Sequence, residues 1–128
     1  MGYCEKCITK YGDYLYVLFR ALIGLLFFMH GWSKFAGGFA QGVYLAAAII
    51  EVVAGVGIFF GMFTRALATV SAVEMAVAFF MVHVPQGLNP LANQGEAAVL
   101  YFAAFLVLAV YGNKKWNLEQ MLLKKEMF

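Results

Sequence analysis

The sequence predicts an all-α integral membrane protein: a four-transmembrane-helix bundle followed by a short amphipathic C-terminal helix. Of the 128 residues, 64% are hydrophobic and only 12% are charged, and the mean hydropathy is +0.80. A water-soluble domain of this length cannot bury so much apolar surface in its core. Four apolar runs, each near the ~20 residues that a helix needs to cross a bilayer, cover most of the chain.

The four predicted spans occupy residues 14–35, 43–63, 65–84 and 94–112. Asp13 is the expected N-cap of the first helix, because its carboxylate can accept a backbone hydrogen bond. Glycine-rich residues 36–42 form the first turn, and Gly61 begins a tight hairpin that ends at Arg65. Pro85 ends the third helix, since proline disfavours helix in the residue before it. Glycines in the first two spans, among them Gly24, Gly31, Gly55 and Gly57, allow close helix packing.

The chain therefore divides into three segments. Residues 1–13 form an N-terminal segment with a C-x-x-C motif, residues 14–112 the four-helix transmembrane domain, and residues 113–128 an amphipathic tail. We expect the tail to lie along the headgroups, with Trp116, Met121 and Leu122 toward the lipid. No signal-peptide pattern is found at the N-terminus.

The distribution of Lys and Arg predicts a multi-pass protein of the cell membrane with both termini in the cytoplasm. Two lysines precede the first span, Arg65 lies in the second connection and four lysines follow the last span, whereas residues 84–95 contain no Lys or Arg. The net charge of +2 gives no reason to expect nucleic acid as a partner. The lipid bilayer is the expected partner, and a redox partner protein and a homo-oligomer are both compatible with the sequence.

Ionisable side chains within or at the rims of the spans are the best indication of function. A charged group at membrane depth costs roughly 2.5–3.5 kcal/mol on insertion scales, so its retention needs a reason. The eight such residues are Arg20, His30, Lys34, Glu51, Arg65, Glu74, His83 and Glu96.

Helical periodicity and depth predict two groups among these residues. Arg20, His30 and Lys34 share one arc of the first helix, and Glu51 lies at the depth of His30 and Lys34. The first group is therefore a cavity in the outer half, where His30 and Glu51 are the candidate proton-transferring pair and Lys34 a candidate ligand-binding residue. The second is an inner pair of Arg20 and Glu74, which are also candidate ligand-binding residues. The alternative for both groups is a structural ion pair that fixes helix register.

His83 and Glu96 are assigned to the outer loop as candidate ligand-binding residues. His83 is ~180° from Glu74 around an ideal helix, so it faces the loop and Glu96 instead. A structural interpretation also exists for Glu96, because Asn93 as N-cap with Glu96 three residues later resembles a capping box.

Cys4 and Cys7 form a single C-x-x-C. Zinc needs four ligands, so this pair alone predicts no metal site. A redox dithiol, with Lys6 stabilising a thiolate, is one interpretation, and two incidental terminal cysteines is the other. On the reducing side of the membrane we expect both to be reduced and dispensable for folding.

The order of several motifs resembles the DoxX family of small four-helix membrane proteins, over residues 14–122. The matching stretches are residues 20–34, Glu51 with the glycines that follow it, residues 61–65, His83 with residues 93–96, and residues 112–119. The resemblance implies a four-helix membrane bundle. Some relatives are associated with thiosulfate:quinone oxidoreductase and others with membrane-linked thiol and oxidative-stress systems, whereas related folds include sterol-handling proteins and receptor-assembly chaperones. The matching ionisable positions are Lys34, Glu51, Arg65, His83 and Glu96.

Two functional hypotheses follow. The first is a quinone- or thiol-linked redox subunit with a polar and aromatic intramembrane pocket, in which His30 and Glu51 handle protons and Cys4 and Cys7, or a partner protein, supply electrons. Adjacent phenylalanine pairs line the pocket or simply pack against lipid. A quinone is the cofactor that this hypothesis implies, and the sequence contains no haem, flavin or iron–sulfur signature. The second is a non-enzymatic module for binding or transport of a lipophilic ligand or for membrane-protein assembly.

Overall fold

A computed structural model describes residues 2–115 and 117–124, and every regular element within them is helical. The helices are α1 (Tyr3–Ala36), α2 (Val43–Phe60), α3 (Thr64–Ala78), α4 (Glu96–Tyr111) and α5 (Leu118–Leu123). After α3 the chain continues through a wide π-helical turn (Phe79–His83) and a 3₁₀ turn (Val84–Gln86).

Three helical segments are long and apolar enough to cross a membrane: Tyr3–Ala36, Val43–Phe60 and Thr64–Gln86. The fourth predicted span is also an apolar helix, but α4 has 16 residues and is therefore only ~24 Å long. Large apolar side chains are exposed on each of these four helices, for example Leu18, Val53, Val73 and Val110, as expected of a surface that faces lipid. The protein is a membrane protein.

The bundle consists of two helical hairpins, in which α1 packs along α2 and α3 packs along α4. The core between them contains Phe27, Ile58, Met75, Phe105 and Leu108. The rings of Phe27 and Phe105 meet edge to face with their centroids 4.7 Å apart, so an aromatic contact joins α1 to α4.

The predicted close packing between α1 and α2 is confirmed at Gly24 and Gly55. A Cβ atom on Gly24 would lie 2.6 Å from the backbone nitrogen of Phe59, and one on Gly55 would lie 2.5 Å from that of Phe28. The two backbones therefore touch, which only glycine permits at these positions.

The start of α1 corrects one expectation. The helix begins at Tyr3 and runs through Asp13 without interruption, so Asp13 is not an N-cap. With 34 residues the helix is ~51 Å long, longer than the ~30 Å hydrocarbon core of a bilayer. Residues 3–13 contain no proline, and nothing in this segment stops the helix from growing beyond the apolar run.

The start of α4 corrects a second expectation. Gly95, and not Asn93, is the residue that precedes the helix. The Oδ1 atom of Asn93 accepts a hydrogen bond from the backbone N–H of Gly95 at 2.8 Å, which is a turn within the loop. The capping box of Asn93 and Glu96 is therefore wrong, and Glu96 is the first residue of α4.

The tail folds back on the bundle through α5, a helix of six residues capped by Asn117. Glu119 is completely buried, whereas Met121 and Leu122 are exposed. The predicted position of Trp116 lies outside the described residues. Below, the end of the bundle near the α1–α2 turn is called the Lys34 end, and the end near the α2–α3 turn the Arg65 end.

Candidate functional site

A buried ion pair lies between α1 and α2 near the Lys34 end. The Nζ atom of Lys34 donates to both carboxylate oxygens of Glu51 at 2.6 Å. The Glu51 side chain is 1% exposed and that of Lys34 is 20% exposed. The Nε2 atom of His30 lies 3.9 Å from Oε1 of Glu51, and the His30 side chain is half-exposed. The predicted proximity of these three side chains is therefore confirmed.

Close helix packing positions this cluster. A Cβ atom on Gly31 would lie 2.7 Å from the Cβ of Glu51 and 2.9 Å from the carbonyl oxygen of Ala48. The missing side chain at position 31 thus lets α2 lie directly against α1 at Glu51. His30 and Lys34 lie on the same side of α1 as Gly31 and therefore reach the carboxylate of Glu51.

A cavity of about 220 Å³ opens beside the ion pair, between α1, α2 and α3. Its polar lining comes from Lys34, Glu51, Glu74 and Tyr44, and its apolar walls are Val43, Ala47, Met75, Val77, Ala78, Met81 and Val82. Both carboxyl oxygens of Glu74 are buried and have no hydrogen-bond partner among residues 2–115 and 117–124. One ammonium group therefore faces two carboxyl groups.

The predicted pair of Arg20 and Glu74 is wrong. Glu74 instead lines the same cavity as Glu51 and Lys34. The Nη1 atom of Arg20 donates to the backbone carbonyl oxygens of Asn113 and Lys115, at 2.8 and 2.9 Å. Backbone carbonyl groups just after α4 therefore accept the hydrogen bonds of Arg20, in place of the predicted acceptor, the carboxylate of Glu74.

Arg20 belongs to a second buried polar cluster, at the Arg65 end, that the sequence pattern did not predict. The hydroxyl of Thr64 donates to Oδ1 of Asn113, and Nδ2 of Asn113 donates to Oε2 of Glu119 at 3.4 Å. The backbone N–H of Glu119 donates to the carbonyl of Gly61 at 3.2 Å. The sequence feature that could have indicated this cluster is the mostly polar segment of residues 113–119, which follows an apolar span directly. Its contacts fasten the tail to the α2–α3 turn.

Neither His83 nor Glu96 lines the cavity beside Glu51. The Nδ1 atom of His83 lies 3.1 Å from the carbonyl oxygen of Asn93, so the histidine contacts the loop as predicted. Glu96 is exposed at the first turn of α4, where a carboxylate is favoured by the helix dipole. The two side chains form no mutual hydrogen bond or ion pair among those found in the described part of the chain.

Cys4 and Cys7 are free thiols on the first turns of α1. From Cys7 to His30 the helix advances 23 residues, or ~35 Å at 1.5 Å per residue. The C-x-x-C motif and the cavity therefore lie at opposite ends of the molecule. No group of three or more potential metal ligands occurs among the described residues.

Among the described residues, no phenylalanine lines the cavity beside the ion pair. Phe59 and Phe60 contact each other edge to face and line a small groove with Gly24 and Gly55, away from Glu51. A larger cavity, about 480 Å³ between α3 and α4, contains no ionisable side chain in its lining. The cavity beside Glu51, where Tyr44 is the aromatic wall, is thus the place where a cluster of ionisable groups borders open space.

Comparisons with known proteins agree with this architecture. The DoxX family model matches residues 15–84. An uncharacterized protein of Haemophilus influenzae is 33% identical over 92% of this chain and 98% of its own length. A Bacillus subtilis protein named "Putative oxidoreductase CatD" is 28% identical over 84% of this chain and 87% of its own length. No solved structure gives a significant match. The chain belongs to the DoxX family.

Proposed function

We propose that the protein is a redox-linked membrane subunit that binds a lipid-soluble quinone in the cavity beside Glu51. The observation that carries the proposal is the ion pair of Lys34 and Glu51, which is buried among apolar helices and borders open space. Both side chains of the pair line the cavity and are therefore within reach of a molecule bound there. The name of the Bacillus subtilis relative supports the redox part of the proposal.

The proposal includes the arrangement in the cell membrane. Four helices span it, with α4 as a short fourth span, and both termini lie in the cytoplasm. The supporting facts are the apolar character of α4 and the absence of Lys and Arg from residues 84–95. In this arrangement the Lys34 end faces outward.

The lining residues fit a quinone. A quinone ring is flat and apolar with two carbonyl oxygens that accept hydrogen bonds, and the cavity offers apolar walls with an ammonium donor at Lys34. When bound, the quinone accepts two electrons and two protons. Oxidation of a partner dithiol to a disulfide releases two electrons and two protons, so the reaction balances. A partner protein supplies them, because Cys4 and Cys7 lie ~35 Å along α1 from His30.

Each residue of the cluster has a defined task in this proposal. Lys34 donates a hydrogen bond to a carbonyl oxygen, and Glu51 holds the ammonium group in position through its two oxygens. His30, 3.9 Å from Glu51 and half-exposed, passes protons between the carboxylate and the surface.

A second function, binding or transport of a lipophilic molecule without electron transfer, is favoured by a different observation. The cavity walls are mainly aliphatic and methionine side chains, and the phenylalanine pairs lie elsewhere. Such walls accommodate many apolar molecules and select weakly among them.

The test is the quinone content of the purified protein. Wild type, Glu51→Gln and the control Glu96→Gln are extracted from membranes in mild detergent, and bound quinone is measured by mass spectrometry. We expect near-equimolar quinone in wild type and in Glu96→Gln, and a loss of about tenfold or more in Glu51→Gln. The bound quinone should be reduced when a dithiol protein is added. Quinone that binds without being reduced would support the second function, and wild type that carries none would contradict the proposal.

A further inference from the structure

We infer that the ligand enters the cavity sideways from the lipid, through a cleft between α2 and α3, and that Glu74 binds its polar head. This inference rests on the proposed function and adds a route and a recognition residue to it. The observations that carry it are a groove that adjoins the cavity, the volumes of the two spaces and a carboxyl group without a hydrogen-bond partner among the described residues.

The polar cavity adjoins a groove between α2 and α3. The groove measures about 400 Å³, and it shares four lining residues with the cavity: Val43, Ala47, Glu74 and Val77. Its remaining walls are small or aliphatic apart from one threonine, and they are Ala46, Ile50, Thr69, Val70 and Val73. In this inference the ligand moves from the acyl chains of the bilayer along the groove, past Glu74, and into the cavity that Glu51 lines.

The volumes assign different parts of the ligand to the two spaces. The cavity of about 220 Å³ is smaller than the ~300–1,000 Å³ of typical small-molecule sites. It can hold a ring-sized head but not an attached hydrocarbon chain. The adjoining groove has no polar wall besides Glu74 and Thr69, so it suits an apolar tail. The ligand class is therefore a molecule with a small hydrogen-bonding head and a hydrocarbon tail.

Glu74 lies where the two spaces join. Both of its carboxyl oxygens are buried and lack a hydrogen-bond partner within residues 2–115 and 117–124, which is an unfavourable state for a polar group. Lys34, the charged donor lining the same cavity, is already bonded to both oxygens of Glu51. A quinone head that arrives through the cleft meets Glu74 first. The protonated carboxyl group of Glu74 donates a hydrogen bond to a carbonyl oxygen of the head.

Two pairs of variants test the route and the recognition residue in lipid nanodiscs of phosphatidylcholine and phosphatidylglycerol. Ala47→Phe fills the junction, and Ala103→Phe places the same side chain on an exposed face of α4 that lines neither space. Ala46→Phe, at an exposed position of the groove, replaces Ala47→Phe if that variant fails to fold. The probe is a decyl-substituted benzoquinone, and its association rate is followed by quenching of tryptophan fluorescence.

We expect Ala47→Phe or Ala46→Phe to slow association by about tenfold or more, and Ala103→Phe to leave it unchanged. Glu74→Leu should weaken binding about tenfold, whereas Glu74→Gln, which keeps hydrogen-bonding capacity, should stay within about threefold of wild type. If Glu74 takes no part in binding, Glu74→Leu should bind the probe as wild type does. Its melting temperature should rise, because the substitution removes a buried carboxyl group that has no hydrogen-bond partner among the described residues.

The outcomes separate this inference from the proposed function. If wild type binds the probe but the cleft variants associate as fast as wild type, lateral entry is wrong and the proposed function stands. If Glu74→Leu binds as tightly as wild type, Glu74 is not the recognition residue. If wild type binds no probe, the proposed function fails and this inference fails with it.

Discussion

At the scale of single residues, the pair of Lys34 and Glu51 differs from an ordinary surface ion pair in its burial. The Glu51 carboxylate is almost completely buried, and Lys34 reaches it from the neighbouring helix while keeping a fifth of its side chain exposed. Pairs of this kind cost desolvation energy to form, and removing one partner leaves a buried charge without its counterpart. Their contribution is therefore visible as a difference between single and double substitutions.

Glu51→Gln should lower the free energy of unfolding by about 1–3 kcal/mol, less than a fully enclosed pair would lose, because Lys34 can turn toward solvent. The double variant Lys34→Met/Glu51→Gln removes both charges and should recover much of that loss. Thermal unfolding in nanodiscs, followed by circular dichroism, gives the comparison. A double variant whose loss equals the sum of the losses in Lys34→Met and Glu51→Gln would show that the pair is not coupled.

Depth along the helices predicted the contacts of Glu51 correctly but failed for Arg20. Glu51 could reach His30 and Lys34 because all three lie near one end of adjacent helices, which periodicity specifies. The partner of Arg20 depended on which helix ends lay nearby. Arg20 donates to the backbone carbonyls of Asn113 and Lys115. A pattern of charged side chains cannot predict backbone acceptors.

At the scale of helices, the contact between α1 and α2 fixes the geometry of the site. Gly31 has no room for a side chain against Glu51 and Ala48, whereas a Cβ atom on Gly12 of the same helix would meet nothing within 4 Å among the described residues. The two glycines thus form a matched pair, one at the interface and one outside it.

Gly31→Ala should destabilise the protein by about 1–3 kcal/mol, because an inserted methyl group forces the helices apart. The control Gly12→Ala should be neutral or slightly stabilising, since alanine favours helix more than glycine does. Unfolding in graded concentrations of SDS measures both. Equal stability of the two variants would contradict the close packing described for Gly31.

The tail is a second element whose position has a specific cause. Hydrogen bonds to Arg20, Thr64 and Gly61 hold Asn113 and Glu119 at the Arg65 end. The sequence predicted a helix lying on the headgroups, but α5 has six residues and buries Glu119 against Asn113. Amphipathic patterning could not predict the burial of Glu119, because it assigns every glutamate to the polar surface.

Arg20→Met should release the tail, because it removes the donor to the carbonyls of Asn113 and Lys115. We expect trypsin to cleave after Lys114 and Lys115 about tenfold faster than in wild type, as local opening becomes less costly. Arg65→Met is the control, since the exposed Arg65 donates to the carbonyl of Val110 instead. Cleavage at the wild-type rate in Arg20→Met would show that other contacts hold the tail.

At the scale of the whole molecule, the composition was sufficient to predict a helical membrane protein, because no soluble core could absorb its apolar surface. The boundaries were less predictable. The helix α1 extends eleven residues beyond the expected start, and α4 is shorter than its apolar run. Turn geometry at Asn93 and Gly95, rather than hydropathy, sets the latter boundary.

Both termini should lie in the cytoplasm and residues 85–94 outside it. Seven of the nine Lys and Arg residues support this orientation: Lys6, Lys10, Arg65, Lys114, Lys115, Lys124 and Lys125. Alkaline phosphatase, which is active only outside the cytoplasm, should be inactive when fused after Phe128 and active when inserted near Leu88. The reverse pattern of activity would show that the molecule has the opposite orientation, with the Lys34 end on the cytoplasmic side.

The central claim is that the cavity between α1, α2 and α3 binds a lipid-soluble quinone, and photolabelling in native membranes tests it most directly. A quinone carrying a photoreactive group on its tail is activated, and the labelled peptides are mapped by mass spectrometry. We predict labels on α2 and α3 between residues 43–50 and 70–77, competed by unlabelled quinone and lost in Glu51→Gln but kept in Glu96→Gln. Labels spread over all lipid-facing helices, unaffected by competition or by Glu51→Gln, would contradict the claim.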